Sequence, residues 1–159
     1  MGVRYPERPV VGVGSLVFRD GRILLVKRAS PPGRGLWSIP GGVVELGEPL
    51  LEAAARELWE ETRVKARPLG VVNVDEAIIL DESGRVIYHY ILVTVLLEYV
   101  GGEPMAGSDA MEAGFFDLEE ARRLKLTDSV RGLLDKLEKG LVSTDKILWV
   151  VTYKPSYND

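Results

Sequence analysis

The sequence has no cysteine and a single histidine, His89, among its 159 residues. Without cysteine, the chain cannot form disulfides, thiolate-bound zinc sites or a cysteine nucleophile. A single histidine also disfavours a Ser-His catalytic triad and a histidine-rich metal site. His89 stands in a β-branched and aromatic run, so we expect it to be a strand residue and not a ligand.

Long apolar runs and an excess of basic residues are also missing. No apolar run reaches the roughly 20 residues that a membrane-spanning helix needs. Residues 1–14 place charges and prolines before their apolar part, unlike a secretory signal. The net charge is −4, with acids and bases interspersed. We therefore expect a cytoplasmic protein with no membrane partner and no nucleic-acid partner, in which phosphate binding would need a metal ion or a few arginines and lysines.

The strands are predicted as antiparallel pairs. Residues 10–18 and 22–28 are apolar and β-branched, and the Asp-Gly pair between them is a strong hairpin signal. Residues 69–80 and 86–100 form a second predicted pair across a short polar turn. Most of the sheet should therefore consist of two hairpins.

The helices are predicted from their start and stop signals. Residues 50–63 are good helix formers, with Pro49 just inside the start, where a missing N–H costs nothing. A capping box beginning at Asp117 opens a second helix. A last helix should begin after the Thr127 cap and stop at Gly140.

The order of these elements predicts the fold class. A short strand is expected at Phe115 and Phe116, and hairpins interrupted by a helix do not form a regular βαβ alternation. The pattern predicts an α+β domain with a mixed sheet layered against helices. Residues 1–140 would form that domain. The tail, residues 141–159, contains the apolar run ILWVVTY, which could be an extra strand, a lid or a subunit contact.

Residues 41–64 hold six glutamates, of which Glu57, Glu60 and Glu61 fall within five positions. At roughly 100° per residue in a helix, these three side chains share one face. An adjacent apolar arc would face the core, and it comprises Leu51, Ala54, Ala55 and Leu58. The carboxylates should therefore lie at the edge of the buried side.

This acidic face has two interpretations. Runs of charge are commonly just a solvated helix face. A surface helix, however, usually pairs its acids with lysines, and here lysines are absent and a loop rich in glycine and proline precedes the helix. Mg²⁺ takes one or two carboxylates together with waters and substrate phosphates. From spacing alone, a solvated face and a magnesium platform both stay open.

The same segment resembles the signature of the Nudix hydrolases, G-x5-E-x7-R-E-U-x-E-E-x-G-U, in which U is a bulky aliphatic residue. Eight of the nine specified positions match, and they are Gly42, Glu48, Arg56, Glu57, Leu58, Glu60, Glu61 and Val64. The departure is Arg63, where the family has glycine. Because that glycine serves the helix exit, arginine there removes no metal ligand, and it costs about 1 kcal/mol if it must adopt the left-handed conformation.

The resemblance implies a mixed sheet between helices and a hydrolase of nucleoside diphosphates linked to a group X. Two or three Mg²⁺ or Mn²⁺ ions per site would orient a water and neutralise the diphosphate. By the same resemblance, Glu57, Glu60 and Glu61 would bind metal, with the backbone carbonyl of Gly41 as a further ligand.

The remaining signature residues have supporting roles in this comparison. Arg56 would hold the carboxylates in place by ion pairing, and Glu48 would orient that network. The alternatives are that Glu48 is an ordinary acid near the helix start and that Arg56 is a solvated base. Glu57 and Glu61 are the pair whose replacement by glutamine is expected to abolish turnover.

The general base is open at this point. Nudix enzymes use either a signature glutamate, here Glu57, or an acid on a loop beyond the sheet. That loop offers Glu103, Asp109 and Glu112. Glu112 matches the position of an acid common in related enzymes, and a strand-edge salt bridge is its alternative role.

The whole sequence is most similar to the small ADP-ribose pyrophosphatase branch, which yields AMP and ribose 5-phosphate. Arg28 and Arg34 could contact phosphate, and Trp37 or Tyr90 could stack on a base or pack in the core. The partner would be a small-molecule nucleotide. The alternatives are a (d)NTP pyrophosphohydrolase and a non-catalytic nucleotide-sensing module. Related enzymes are often dimers, so a homodimer is a further expectation.

Overall fold

The computed structural model describes residues 4–158. Seven strands and three helices follow one another along these residues. In chain order they are β1 (Val10–Arg19), β2 (Arg22–Arg28), β3 (Trp37–Ser38), β4 (Gly41–Val43), α1 (Leu50–Thr62), β5 (Lys65–Leu80), β6 (Val86–Gly101), β7 (Ala110–Phe116), α2 (Leu118–Arg123) and α3 (Asp128–Glu138).

The strands form a mixed sheet with the main order β3-β2-β1-β6-β5. β1 and β6 run parallel, and the other paired strands run antiparallel. β1 pairs with β2 near Phe18 and Arg19, but with β4 at residues 12–14. The sheet therefore splits beside β1, and the split brings Gly41 and Gly42 alongside the middle of the domain.

Helices cover both faces of this sheet. Successive side chains of a strand point to opposite faces, and β1 accordingly sends Leu16 to one apolar cluster and Val17 to another. The first cluster packs against α2 and α3, and its members include Ile23, Leu25, Leu96, Ala121, Val130, Leu133 and Leu134. The second packs against α1, and its members include Leu24, Ala53, Ala54, Leu58, Val95 and Leu97. This arrangement confirms the predicted α+β class with a mixed sheet between helices.

The hairpin between β1 and β2 follows the predicted turn chemistry. Asp20 and Gly21 both have positive φ, 51° and 76°. A two-residue turn of this type needs positive φ at both positions, which is why Asp-Gly is favoured there. Strands β5 and β6 form the second predicted antiparallel pair, with His89 inside β6 opposite Ile78.

Strand β5 begins at Lys65 instead of residue 69, and two further boundaries also differ from the sequence prediction. Pro49 is the N-cap of α1, with φ −62° and ψ 140°, and so lies one position outside the helix instead of just inside it. The short strand predicted at Phe115 and Phe116 is the end of β7, which begins at Ala110 because it pairs along most of β2. None of these differences moves a signature residue.

The tail beyond α3 packs back on the domain, since Val142 is buried in the first apolar cluster, and Ile147 and Val150 pack against the first and second clusters. Leu148 and Val71 exchange two backbone hydrogen bonds of 2.8 and 3.1 Å, and a Cβ on Gly70 would lie only 2.6 Å from the Leu148 carbonyl oxygen. Beyond this isolated bridge, Trp149 and Tyr153 are exposed. No helix within residues 4–158 is long and apolar enough to cross a bilayer.

Candidate active site

Helix α1 brings its glutamates to the sheet through small buried residues. Ala53 and Ala54 are fully buried, and the Ser15 hydroxyl donates a 2.9 Å hydrogen bond to the Ala54 carbonyl. Because these side chains are small, the helix lies close to β1. Glu57 and Glu61, one turn apart at the edge of this contact, are therefore held beside the backbone of β4.

The glycine pair at the start of β4 is required by this close approach. The Gly41 amide donates a 3.1 Å hydrogen bond to the Glu61 carboxylate. A Cβ on Gly42 would lie 2.3 Å from the Glu57 carboxylate, and a Cβ on Gly41 would lie 2.2 Å from the Val13 carbonyl oxygen. Any side chain at either position would displace the carboxylates or the strand.

Arg56 donates most of the hydrogen bonds in the polar network behind these carboxylates. It donates to both oxygens of Glu48 at 2.6 and 2.9 Å, to Glu57 at 2.9 Å and to Glu60 at 3.2 Å. It also donates to the Val43 carbonyl at 3.3 Å. The hydrogen bonds from Arg56 lower the pKa of Glu48. Lysine could not replace this fork of donors, and the geometry matches the holding role predicted for Arg56 and the orienting role predicted for Glu48.

The two carboxylates that face the glycine pair have raised pKa values. Burial raises the pKa of Glu61 to about 7, and the charge of Glu57 adds to this effect while the hydrogen bond from Gly41 opposes it. Burial also raises the pKa of Glu57, against the lowering effect of its ion pair with Arg56. A cation bound to both carboxylates would stabilise their charged forms.

The acidic residues of α1 do not form a complete metal cage by themselves. Across residues 4–158, no three acidic or histidine side chains are arranged to hold one metal ion together. Glu60 is the more exposed carboxylate and pairs with Arg56. Glu57 and Glu61 nevertheless suit a hard cation such as Mg²⁺, which commonly takes two carboxylates and completes its shell with water and phosphate. The Gly41 contact to Glu61 is made by its amide, so its carbonyl as a ligand stays a prediction.

Of the three loop acids, Asp109 is the one whose charge acts on Glu61. The register that pairs Arg28 with Ala110 places Asp109 next to Ala29, whose amide donates to the Asp109 carbonyl at 3.0 Å. The Ser30 hydroxyl donates to the Asp109 carboxylate. The charge of Asp109 also contributes to the raised pKa of Glu61, after burial and nearer groups.

The other two loop acids are engaged elsewhere. Glu112 accepts a 3.2 Å hydrogen bond from Lys27 on the neighbouring strand, and its side chain is 58% exposed. Glu103 pairs with Arg19 at 2.8 Å. These contacts correspond to the strand-edge salt bridge considered for Glu112, while its role as the base stays a prediction.

A cleft of about 710 Å³ opens beside the glycine pair. Its lining comes from β1, β5, β6, α3 and the loop after β2, and it includes Gly41, Gly42, Arg28, Asp75, Glu76, Ile78, Tyr90, Leu92, Thr127, Ser129 and Lys136. Arg28 lines the cleft and lies within reach of the charges of Glu61 and Asp109, which raise its pKa against the larger lowering effect of burial. The cleft therefore leads from the glutamates along the sheet and is large enough for a nucleotide.

The predicted substrate contacts fall into two groups. Arg28 and Tyr90 line the cleft, as expected for phosphate and base contacts. Trp37 packs in the core instead, edge-on to Phe116 with ring centroids 5.1 Å apart. Arg34 is exposed and is not among the cleft-lining residues. Trp37 thus takes the packing role that was its alternative.

The cleft also contains residues that the sequence prediction missed. Lys136 of α3 donates to Asn73 at 2.9 Å and to Asp75 at 2.5 Å on β5. These residues are more than sixty positions apart in the chain, so no local pattern could have paired them. Ser38, also missed, lines the cleft together with Tyr90, the base contact considered from the sequence, and within residues 4–158 the buried hydroxyls of both have no hydrogen-bond partner.

A second depression has a volume of about 620 Å³. It is lined by Arg19, Asp20, Arg22, Glu103, Pro104, Ala113, Gly114 and Phe115. Neither Gly41 nor Gly42 contributes to it, in contrast to the cleft.

Comparison with known proteins gives one family match and several relatives. A family model described as NUDIX domain matches residues 8–137. The chain is 39% identical over 116 residues to the ADP-ribose pyrophosphatase of Methanocaldococcus jannaschii. That match covers 73% of this chain but 66% of the relative, so the chain spans slightly less than two thirds of its relative's length.

Solved structures share the fold. The MutT NUDIX hydrolase from Burkholderia pseudomallei superposes with a TM-score of 0.72 and 32% identity, covering 82% of this chain and 99% of that one. A bifunctional NMN adenylyltransferase/ADP ribose pyrophosphatase from Francisella tularensis, complexed with AMP and a manganese ion, gives a TM-score of 0.62 at 26% identity. The second match covers 83% of this chain and 42% of that one.

Proposed function

Because this chain belongs to the NUDIX domain family, we propose that it hydrolyses a nucleoside diphosphate linked to a further group, with ADP-ribose as the substrate. The observation that carries the proposal is the position of Glu57 and Glu61. Both carboxylates are withdrawn from solvent and abut the glycine pair at one end of a nucleotide-sized cleft. Such a pair is unfavourable unless a cation or a proton neutralises it.

Glu57 and Glu61 would hold the divalent cations, Mg²⁺ or Mn²⁺, with Glu60 available if it leaves Arg56. When bound, the metal would neutralise the negative charge of the diphosphate and orient the attacking water. The oxygen of that water forms a bond to one phosphorus as the bridging P–O bond breaks, which releases AMP and ribose 5-phosphate. The manganese and AMP in the Francisella structure support this ligand class.

The chain's own residues supply positioning and charge. Arg56 keeps Glu57 and Glu60 in fixed orientations through its ion pairs. Arg28, at the junction of the cleft and the acidic site, is placed to contact a phosphate oxygen. Arg34 could reach the outer phosphate only by a movement of its loop.

We propose Asp109 as the loop acid that accepts a proton from the attacking water, ahead of Glu112 and Glu57. Asp109 is the loop acid whose charge acts on both Glu61 and Arg28. Glu112 stays a competing prediction. Changing Asp109 to Asn and, separately, Glu112 to Gln distinguishes the two, because only the base should lower kcat by roughly 10²-fold or more.

The ADP-ribose assignment draws on the relative from Methanocaldococcus jannaschii, which is named an ADP-ribose pyrophosphatase. The cleft supports it, since it offers both apolar strand residues and polar groups along its length. A cytoplasmic location and a homodimer that buries the exposed tail residues remain predictions. Sedimentation of the full chain beside a chain lacking residues 149–159 would test the dimer.

The deciding experiment measures AMP release from ADP-ribose, with Mg²⁺ and with EDTA, against a panel that includes ATP and dGTP. We expect metal-dependent turnover that is fastest with ADP-ribose. A matched control is Glu52→Gln, an exposed acid on the first turn of α1, which should retain full activity. ADP-ribose turnover no faster than that of ATP or dGTP would remove the substrate assignment, and no hydrolysis of any substrate would favour a nucleotide-sensing module.

A further inference from the structure

The loop between β6 and β7, residues 102–109, is fastened to the C-terminal end of α1. The Met105 amide donates to the Thr62 carbonyl and the Gly107 amide donates to the Glu61 carbonyl, both at 2.9 Å. The last carbonyls of a helix have no partner within the helix. The loop therefore satisfies two of these carbonyls and caps the helix that carries the glutamates.

Arg63 lies at the centre of this junction. It has φ 60° and ψ 8°, the left-handed conformation that glycine adopts without strain. Its guanidinium stacks over the Trp59 ring, 4.3 Å from the ring centroid. The Nudix signature has glycine at this position, so an arginine kept in a strained conformation requires a compensating interaction.

Two loop glycines pack against the same arginine. A Cβ on Gly102 would lie 2.8 Å from the Arg63 carbonyl oxygen. A Cβ on Gly107 would lie 2.3 Å from the Glu60 carbonyl oxygen and 3.5 Å from the Arg63 guanidinium nitrogens. The guanidinium thus contacts Trp59 on one side and approaches the loop on the other.

The loop that is held in this way ends in Asp109. From Gly107 the chain reaches Asp109 in two residues, and the Asp109 carboxylate accepts a hydrogen bond from Ser30 in the segment after β2. The loop is therefore fixed at both ends, by α1 at one end and by the segment after β2 at the other. A shift at the α1 end would move Asp109 relative to Glu61.

We propose that Arg63 is a positioning residue, which clamps residues 102–109 to α1 and so fixes the position of Asp109 relative to Glu61. This inference rests on the proposed function for the role of Asp109, but the clamp itself does not. Arg63 is not among the cleft-lining residues and stacks on Trp59 of α1, so its effect on turnover is indirect and passes through α1 or through the loop.

The first test compares Arg63→Gly with Arg63→Lys. Glycine relieves the left-handed strain and loses the stacking on Trp59, two effects of similar size, so the melting temperature should change by about 2 °C or less. With ADP-ribose and Mg²⁺, we expect kcat to fall roughly 10-fold while KM stays within about twofold. Lysine keeps a cation over the ring, so Arg63→Lys should recover most of kcat.

Arg85→Gly is the matched control, since Arg85 lies 4.2 Å from the Tyr5 ring centroid in an equivalent contact far from the site. It should leave kcat unchanged. A double-mutant cycle then adds Asp109→Asn. If Arg63 acts through Asp109, the Arg63→Gly change should have no further effect in the Asp109→Asn background. Independent, additive losses of kcat would overturn the proposal, as would an Arg63→Gly enzyme with full kcat.

Amide hydrogen exchange tests whether Arg63 holds the loop against α1, and it does so independently of the proposed function. We expect Arg63→Gly to speed exchange of the Met105 and Gly107 amides at least about tenfold, with little change for amides in β6. This readout needs no substrate. Unchanged exchange at both amides would overturn the clamp even in an active enzyme. Inactivity of the wild type on ADP-ribose, with faster exchange in the variant, would instead remove the substrate assignment and leave the clamp in place.

Discussion

The two longer helices that cover the sheet are built in opposite ways. α3 has a side-chain cap from Thr127 and a base in its last turn, while an acid in the first turn and three buried apolar residues are common to both helices. α1 starts at Pro49 without a side-chain cap, has no base in its last turn and ends in the left-handed Arg63. Its buried set also contains Glu61. The features that stabilise an ordinary helix are therefore concentrated in α3.

The difference indicates that α3 contributes mainly to the stability of the domain and that α1 contributes mainly to its reaction. A buried glutamate near another carboxylate destabilises the metal-free fold, because burial and repulsion both disfavour its charged form. The same pair is what a divalent cation needs as ligands. Substitutions in α1 should therefore change turnover more than stability, and substitutions in α3 should do the reverse.

The largest expected effect comes from removing the charges of α1. In Glu57→Gln/Glu61→Gln, we expect AMP release from ADP-ribose to fall by roughly 10³-fold or more, because no metal is held at the diphosphate. The melting temperature should not fall, since glutamine keeps the shape without the repulsion. Unaltered turnover in this double variant would refute the metal-site proposal.

The second prediction concerns the removal of a buried apolar side chain from α3. Leu134 is 3% exposed, belongs to the apolar cluster under α3 and does not line the cleft. Leu134→Ala should lower the free energy of unfolding by roughly 2–5 kcal/mol, from lost burial and the cavity left behind. Urea unfolding measures this loss, and kcat under folding conditions should stay near that of the wild type. A large fall in kcat with little loss of stability would contradict the division between the helices.

The contrast also shows how much the sequence could predict. The helical period was enough to place Glu57 and Glu61 at the edge of the buried side, because both lie in one continuous helix. The left-handed conformation considered for Arg63 follows from its place at the helix exit. Both features depend on contacts within a few residues. The signature adds the identity of the ligands.

Features that depend on contacts between residues far apart in the chain were harder to predict from the sequence. Asp109 was one of three loop acids, and the register of β7 against β2, which places it next to Ala29, depends on residues far apart in the chain. The packing of Trp37 on Phe116 depends on how β3 and β7 flank β2. The Lys136 and Asp75 pair joins the last helix to the edge strand. Each needs the folded sheet, which no local pattern encodes.

The next prediction is that the free energy of unfolding depends on pH, through Glu61 of α1. The pKa of Glu61 is raised to about 7 in the folded chain, above its ordinary value of 4.5. The folded state therefore favours the protonated carboxyl, and the stability that this provides is complete below pH 4.5 and is lost as pH rises through 7. In EDTA, the wild type should lose up to about 3 kcal/mol across this interval from Glu61.

Glu61→Gln should remove that pH dependence. Glutamine can still accept the hydrogen bond from Gly41, so at pH 8 in EDTA the variant should melt several degrees above the wild type. Mg²⁺ should raise the melting temperature of the wild type and have little effect on the variant. Thermal melts at pH 4.5, 6, 7 and 8 measure both effects. A variant that is less stable than the wild type at pH 8 would show that the charged carboxylate is not the source of strain.

The smallest expected effect tests the cap that α3 has and α1 lacks. The Thr127 hydroxyl accepts from the Val130 amide at 3.4 Å. Thr127→Ala should cost about 1 kcal/mol of unfolding free energy, because an N-terminal amide loses its partner. Ser129→Ala is the control, since it removes a neighbouring hydroxyl that caps no amide. Equal losses in the two variants would mean that the hydroxyls stabilise α3 by some route other than capping, and the contrast between the two helix starts would then rest on Pro49 alone.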